Sequence, residues 1–125
     1  MATPLDEYHA FIDGLVAERP SYLADAVRQQ RYQFDPESAR FIAGLTPAER
    51  EMVAGMIQKA RDVAISDTLA YVREQQASQG LRLARNGVAL PVEPHHTMNS
   101  DWWCRCQGEA WPEAVGEVFE SGNAD

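Results

Sequence analysis

Apolar residues recur at spacings of three and four along most of the chain. Leu5, Tyr8, Ile12, Leu15 and Val16, with Phe11 widening the stripe, trace one face of a first helix. Thr3-Pro4 supplies its start, a threonine cap followed by a proline whose missing N–H is harmless in the first turn. Asp6 and Glu7 then sit at the positive end of the helix dipole. The helix is expected to stop near Glu18, because Pro20 disfavours helical geometry at Arg19. A second helix is expected from Pro20 to about Arg31, presenting Tyr22, Leu23, Ala26 and Val27. Asp35-Pro36 repeats the cap-then-proline signal and opens a short helix with Phe41, Ile42 and Leu45. Gly44, near its end, is expected in the left-handed conformation.

Thr46-Pro47-Ala48-Glu49 is the strongest local signal in the chain. The threonine hydroxyl can accept from the amide of Glu49 while the glutamate reaches back to the amide of Thr46. Beyond Pro47 no proline or glycine pair appears until Gly80. Val53, Met56, Ile57, Ala60, Val63, Ala64, Leu69 and Val72 keep a helical period through most of that stretch. A continuous helix from Pro47 to Gln79 would hold about 33 residues and run about 50 Å at 1.5 Å per residue. It becomes the element against which shorter helices pack.

The period changes after Gly80. Leu81-Arg82-Leu83 and Val88-Ala89-Leu90 flank Arg85-Asn86-Gly87, and Asn-Gly between apolar runs signals a two-residue hairpin turn with positive φ at both positions. Pro91 ends the second strand or confines it to an edge. Glu93 to Asn99 reads as a loop, with Ser100 and Asp101 capping a short helix that carries Trp102 and Trp103 and ends at Gly108. Trp111-Pro112 would open a last short helix bearing Val115, Val118 and Phe119. The fold class that follows is mainly α: one compact helical domain over 1–120 around a long central helix, a single small β-hairpin near 81–92, and a frayed tail at 121–125.

Composition narrows the function classes. Of the 125 residues, nineteen are acidic and eleven basic, a net charge of −8. Such a field repels phosphate backbones, so no nucleic acid is expected as partner. It suits solubility, or steering towards a basic protein. No stretch approaches the roughly 18 apolar residues of a membrane helix, and Met1 to Asp6 lacks the basic and apolar regions of a secretory signal. Cys104 and Cys106 are one residue apart, too close for an ordinary disulfide. These features fit a cytoplasmic protein.

Candidate chemistry concentrates between residues 95 and 111. His95, His96, Cys104 and Cys106 carry the side chains that bind zinc. Adjacent histidines and a Cys-x-Cys pair do not turn naturally towards one metal, so no metal and no cofactor are expected; if a metal is held, these four are its ligands. Cys104 could serve as a nucleophile near His95 or His96, but nothing nearby supplies an orienting third group. His9 lies between Asp6 and Asp13 on one helix face, a spacing more often met in surface charge pairs. Asp67 interrupts the apolar side of the long helix and, if buried, requires a hydrogen-bond partner. It is not paired with Asp62, which points elsewhere round the helix. Trp102, Trp103 and Trp111 crowd into ten residues. Neighbouring tryptophans leave a helix about 100° apart, so both cannot face one core. Exposed aromatics of this kind anchor protein interfaces.

Asn86-Gly87-Val88, Leu90-Pro91-Val92-Glu93-Pro94, Asp101-Trp102, Cys106 and Trp111-Pro112, together with Phe11-Ile12-Asp13-Gly14-Leu15-Val16, resemble a family of small bacterial proteins of unknown function. The resemblance extends to about Glu113 and implies a bacterial source, with no activity and no site residues attached. Ten arginines against one lysine agree with a GC-rich bacterial genome. The expected function is a non-enzymatic protein-binding module of the inhibitor, immunity or adaptor kind. Trp102, Trp103 and Trp111 would form its interaction surface, for another, basic protein or for a second copy in a homodimer. The alternative is a small metal- or thiol-dependent enzyme using the His95–Cys106 segment.

Overall fold

A computed structural model describes residues 2–31 and 35–112. Among them lie five helices and one hairpin: α1 (Pro4–Ala17), α2 (Tyr22–Arg28), α3 (Pro36–Ala43), α4 (Pro47–Gln79), β1 (Ala84–Arg85), β2 (Val88–Ala89) and α5 (Met98–Cys106). The fold is mainly α with one long helix and one small antiparallel hairpin. The helix proposed to start at Trp111-Pro112, with Val115, Val118 and Phe119, and the tail 121–125 lie outside the described residues. No helix among the described residues is long and apolar enough to cross a membrane.

The helix starts follow their caps. Thr3 and Asp6 form a reciprocal box at α1, the amide of Asp6 donating to Thr3 Oγ1 at 3.1 Å and the amide of Thr3 to Asp6 Oδ2 at 3.0 Å. Thr46 and Glu49 do the same at α4, at 3.1 and 2.8 Å. Asp35 accepts from the amide of Ser38 at 2.7 Å, ahead of Pro36. Three expectations at element ends are corrected. α2 begins at Tyr22 with Ser21 as its cap, because Ser21 Oγ accepts from the amide of Ala24 at 3.1 Å. Gly44 is right-handed, with φ −81°, its amide bonding back to Arg40 and Phe41 carbonyls. α5 begins at Met98 under Thr97 rather than under Ser100 or Asp101, and Asp101 is thereby carried into the helix.

The described residues fall into two compact units, one holding the chain up to Glu18 together with the chain from Ser66 onward, the other holding Arg19–Ile65. In the second, Ala24, Val27, Ile42 and Ala54 form the buried core, with Leu45, Val53 and Ile57 packed against it. Its two ends are tied by charge. Arg19 grips Asp62 with two hydrogen bonds, Nε to Oδ1 at 2.8 Å and Nη2 to Oδ2 at 2.7 Å. Gln58 closes the same corner, accepting from the amide of Ser21 and donating to the carbonyl of Arg19 and to Asp62. Asp62 is therefore the buried acid of α4. Asp67 is exposed and has no core role.

In the first unit, α1 packs on α5 and on the hairpin. Tyr8, Ile12, Leu69, Leu90, Met98 and Trp102 are its buried apolar side chains. The hairpin turn is as expected: φ is +54° at Asn86 and +76° at Gly87, with Arg85 opposite Val88 and Ala84 opposite Ala89. A two-stranded ribbon has little stability of its own. Here it is held by Glu7 of α1, whose buried carboxylate accepts from Arg85 Nη1 at 2.7 Å and from Asn86 Nδ2 at 3.3 Å. Arg85 keeps that carboxyl below its ordinary range.

Candidate functional site

The site grows from residues one turn apart on α1 and on α5. Tyr8 and Ile12 fill the buried side of α1, which turns His9 and Asp13, four residues apart, towards its flank. On α5, Trp102 occupies the core and Asp101 and Arg105, again four apart, face α1. The loop between the hairpin and α5 supplies His95 and His96, and the segment after α5 supplies Trp111.

His9 and His95 meet nitrogen to nitrogen. Their Nε2 atoms are 2.8 Å apart, the ring centroids 5.1 Å apart and the ring planes 23° from parallel. That centroid separation is about the greatest two imidazoles in contact at that distance can have. Both centroids and both nitrogens therefore lie close to one line. In-line nitrogens mark a hydrogen bond with one proton between them, since two N–H groups would collide there and two bare lone pairs would repel. The other face of the cluster is aromatic. Trp111 stacks on His9 at 4.0 Å with planes 9° from parallel, and the guanidinium carbon of Arg105 lies 5.0 Å from the centre of the indole.

Two carboxylates fasten these rings. Asp13 accepts from Arg105 Nε at 2.7 Å and Nη2 at 3.2 Å, and from the indole N–H of Trp111 at 3.2 Å. Although burial opposes it, those donors hold the Asp13 carboxyl below its ordinary value. Asp101, buried, accepts from the Tyr8 hydroxyl at 2.5 Å and from the amide of His96 at 3.2 Å. Burial, then the bond to Asp101, push the phenol far above its ordinary range, so Tyr8 stays protonated and donates. His9 is lowered by burial and then by His95, and His95 by burial. One further atom matters: His95 Nδ1 is buried and without a hydrogen-bond partner among the described residues. An unpaired N–H is costlier to bury than a bare ring nitrogen of the same site. The tautomer that follows has His95 donating from Nε2 to His9, with the proton of His9 on Nδ1.

The candidate residues named from the sequence are thus separated into different surroundings. Trp102 is fully buried and Trp103 is 45% exposed, while Trp111 is half-buried on His9. His95 is turned to His9, and His96 is exposed. Cys104 and Cys106 are half-buried and not joined by a disulfide. Burial and then the neighbouring charge of Glu109 raise the Cys104 thiol, the reverse of what a nucleophile needs. Among the described residues no three His, Cys, Asp or Glu side chains gather as a group able to hold a metal ion. A small cavity of about 50 Å³ lies beside the cluster, bordered by His96, Cys104, Arg105 and Trp111, and is about large enough for water.

What sequence reasoning missed is the pairing. His9 and Asp13 were visible as one helical face, but their partners stand 86 and 92 positions away, and no local spacing encodes them. Tyr8 and Arg105 carry no signal beyond ordinary helical periodicity, and Asp101 only that of a helix cap.

No curated protein and no solved structure matches the chain. A sequence-family model matches residues 1–113, which takes in every side chain of the histidine–tryptophan cluster and of the hairpin. The chain belongs to this family, the family of unknown function DUF6547.

Proposed function

We propose that the protein is a non-enzymatic binding module whose anchor is Trp103 and whose partner is a protein with a basic surface. The observation that carries this reading is the division between two adjacent tryptophans. Trp102 is consumed by the core, whereas Trp103 leaves nearly half of its surface in solvent at the outer side of α5. Partly exposed indoles are the side chains most often found at the energetic centre of an interface. The net charge of −8 would speed encounter with a basic partner. Trp111, proposed with the other two as a contact residue, is better understood as a wall of the histidine cluster. The residues able to carry chemistry are engaged internally: His95 with His9, Asp13 with Arg105, Asp101 with Tyr8. A cytoplasmic bacterial setting accords with the arginine-rich composition and with cysteines not joined in a disulfide.

The test begins by identifying a bound protein after chemical crosslinking in the source cell, then measures its affinity with purified components. Trp103→Ala should leave the fold intact and weaken binding by about 2 kcal/mol, roughly thirtyfold. Added salt should slow association. Equal binding by Trp103→Ala would overturn the proposal, as would an acidic partner indifferent to salt. Concentration-dependent dimerisation lost in Trp103→Ala would instead make the partner a second copy.

A further inference from the structure

We propose that the single proton shared by His9 and His95 latches the 93–97 loop to α1, and that uptake of one further proton by the pair opens the latch. The two rings share their protons among four nitrogens. In the neutral pair one proton lies between the two Nε2 atoms and the second sits on His9 Nδ1. Adding a third while keeping the in-line bond requires protons on both Nδ1 atoms. One of these is His95 Nδ1, buried and without a partner among the described residues. A charged ring with an unpaired N–H inside the protein is strongly disfavoured. The alternative is to place protons on both Nε2 atoms, and at 2.8 Å in line they cannot coexist. Either way the cationic pair relaxes by moving His95 away from α1 until its ring nitrogens reach water.

The charged neighbours set where this happens. From α1, Asp13 and, more weakly, Asp6 favour a proton on His9; from α5, Arg105 opposes it. His95 is favoured by Asp101 of α5 and opposed by His96 of its own loop. Tyr8 faces both rings and remains protonated. Burial outweighs the carboxylates at both histidines, so opening falls below the ordinary histidine value of 6.5. A cationic His9 remains well placed on the face of Trp111, which attracts a cation. The part that moves is therefore the loop. Its amide at His96, which donates to Asp101, is the reporter built into the structure.

The experiment is a nitrogen-15 and amide-exchange titration of the full chain from pH 8 to pH 5, independent of any binding partner. The wild type should show His95 Nδ1 unprotonated at pH 8. Through the histidine transition the protection factor of the His96 amide should fall about tenfold per pH unit, as expected for one proton taken up on opening. His95→Gln, whose side-chain amide can donate to a neutral His9 and, turned over, accept from a cationic one, should remove that slope while leaving α1 and α5 amides protected. Protection of His96 that is constant between pH 8 and 5 would overturn the proposal, as would a slope unchanged in His95→Gln. If His95→Gln fails to fold, the wild-type tautomer and slope decide the matter alone: a proton on His95 Nδ1 at pH 8 sinks it.

Discussion

Asn86 and Gly87 hold backbone angles that most side chains resist, and Glu7 makes the strain worth holding. Its carboxylate ties both the turn and Arg85 to α1, so the hairpin is a fixed wall of the unit. Replacing Gly87 with Val should destabilise the protein by about 1–2 kcal/mol, because a β-branched residue resists positive φ. Urea unfolding measures it, and an unchanged midpoint would show that the turn carries no strain. The adjacent tryptophans give a second contrast at this scale. Trp102→Ala removes a fully buried side chain and should cost about 3–5 kcal/mol. Trp103→Ala should stay within about 0.5 kcal/mol of wild type by the same measurement, as surface substitutions usually do.

Helices report their beginnings more faithfully than their surroundings. Thr3-Pro4, Asp35-Pro36 and the Thr46–Glu49 box were legible because a cap and its amides lie within three residues. The Asn-Gly turn was legible for the same reason. The end of α3 was not, since whether Gly44 turns left-handed depends on what the chain must meet next. Thr97, the cap of α5, competes in the sequence with Ser100 and Asp101; the bond from the Ser100 amide to Thr97 fixes the start, and Tyr8 engages Asp101 instead. Asp62 and Asp67 show the limit most clearly, for periodicity drew attention to the exposed one and passed over the buried one. Asp62→Asn weakens the grip of Arg19 and should cost about 1–3 kcal/mol, the usual scale for hydrogen bonds to a charged group. Because Arg19 holds the Asp62 carboxyl below its ordinary 3.8, the wild type should lose this contribution as pH falls past that value. The variant should lack that part of the acid slope in urea titrations.

At the scale of the molecule, acid acts in two separate windows. His9 and His95 bind protons less readily folded than unfolded, so their contribution is complete above pH 6.5 and declines as pH falls below it. Glu7, Asp13 and Asp62 are lowered carboxylates, and what they contribute persists until pH falls past their ordinary values, 4.5 for the glutamate and 3.8 for the aspartates. Unfolding free energies measured from pH 8 to 3 should therefore show a shallow decline first and a steeper one later. Replacing both histidines with glutamine should erase the first and spare the second. A single acid transition in the wild type would contradict the histidine assignment.

The Arg19–Asp62 clamp also bears on the order in which the chain finds its fold. Tyr8 and Asp101 are 93 positions apart, and the clamp joins two points 43 positions apart that both lie between them. Once it has closed, the path the chain must search to bring α1 to α5 is nearly halved. Each halving of a flexible loop lowers the entropy of closing it by about 0.6 kcal/mol, close to a threefold gain in rate. A clamp that closes first thus acts as a splint for the later meeting of α1 and α5. Asp62→Asn should slow the burial of Trp102, followed by fluorescence during refolding, by about that factor. If only unfolding accelerates, the clamp forms after the two helices have already met.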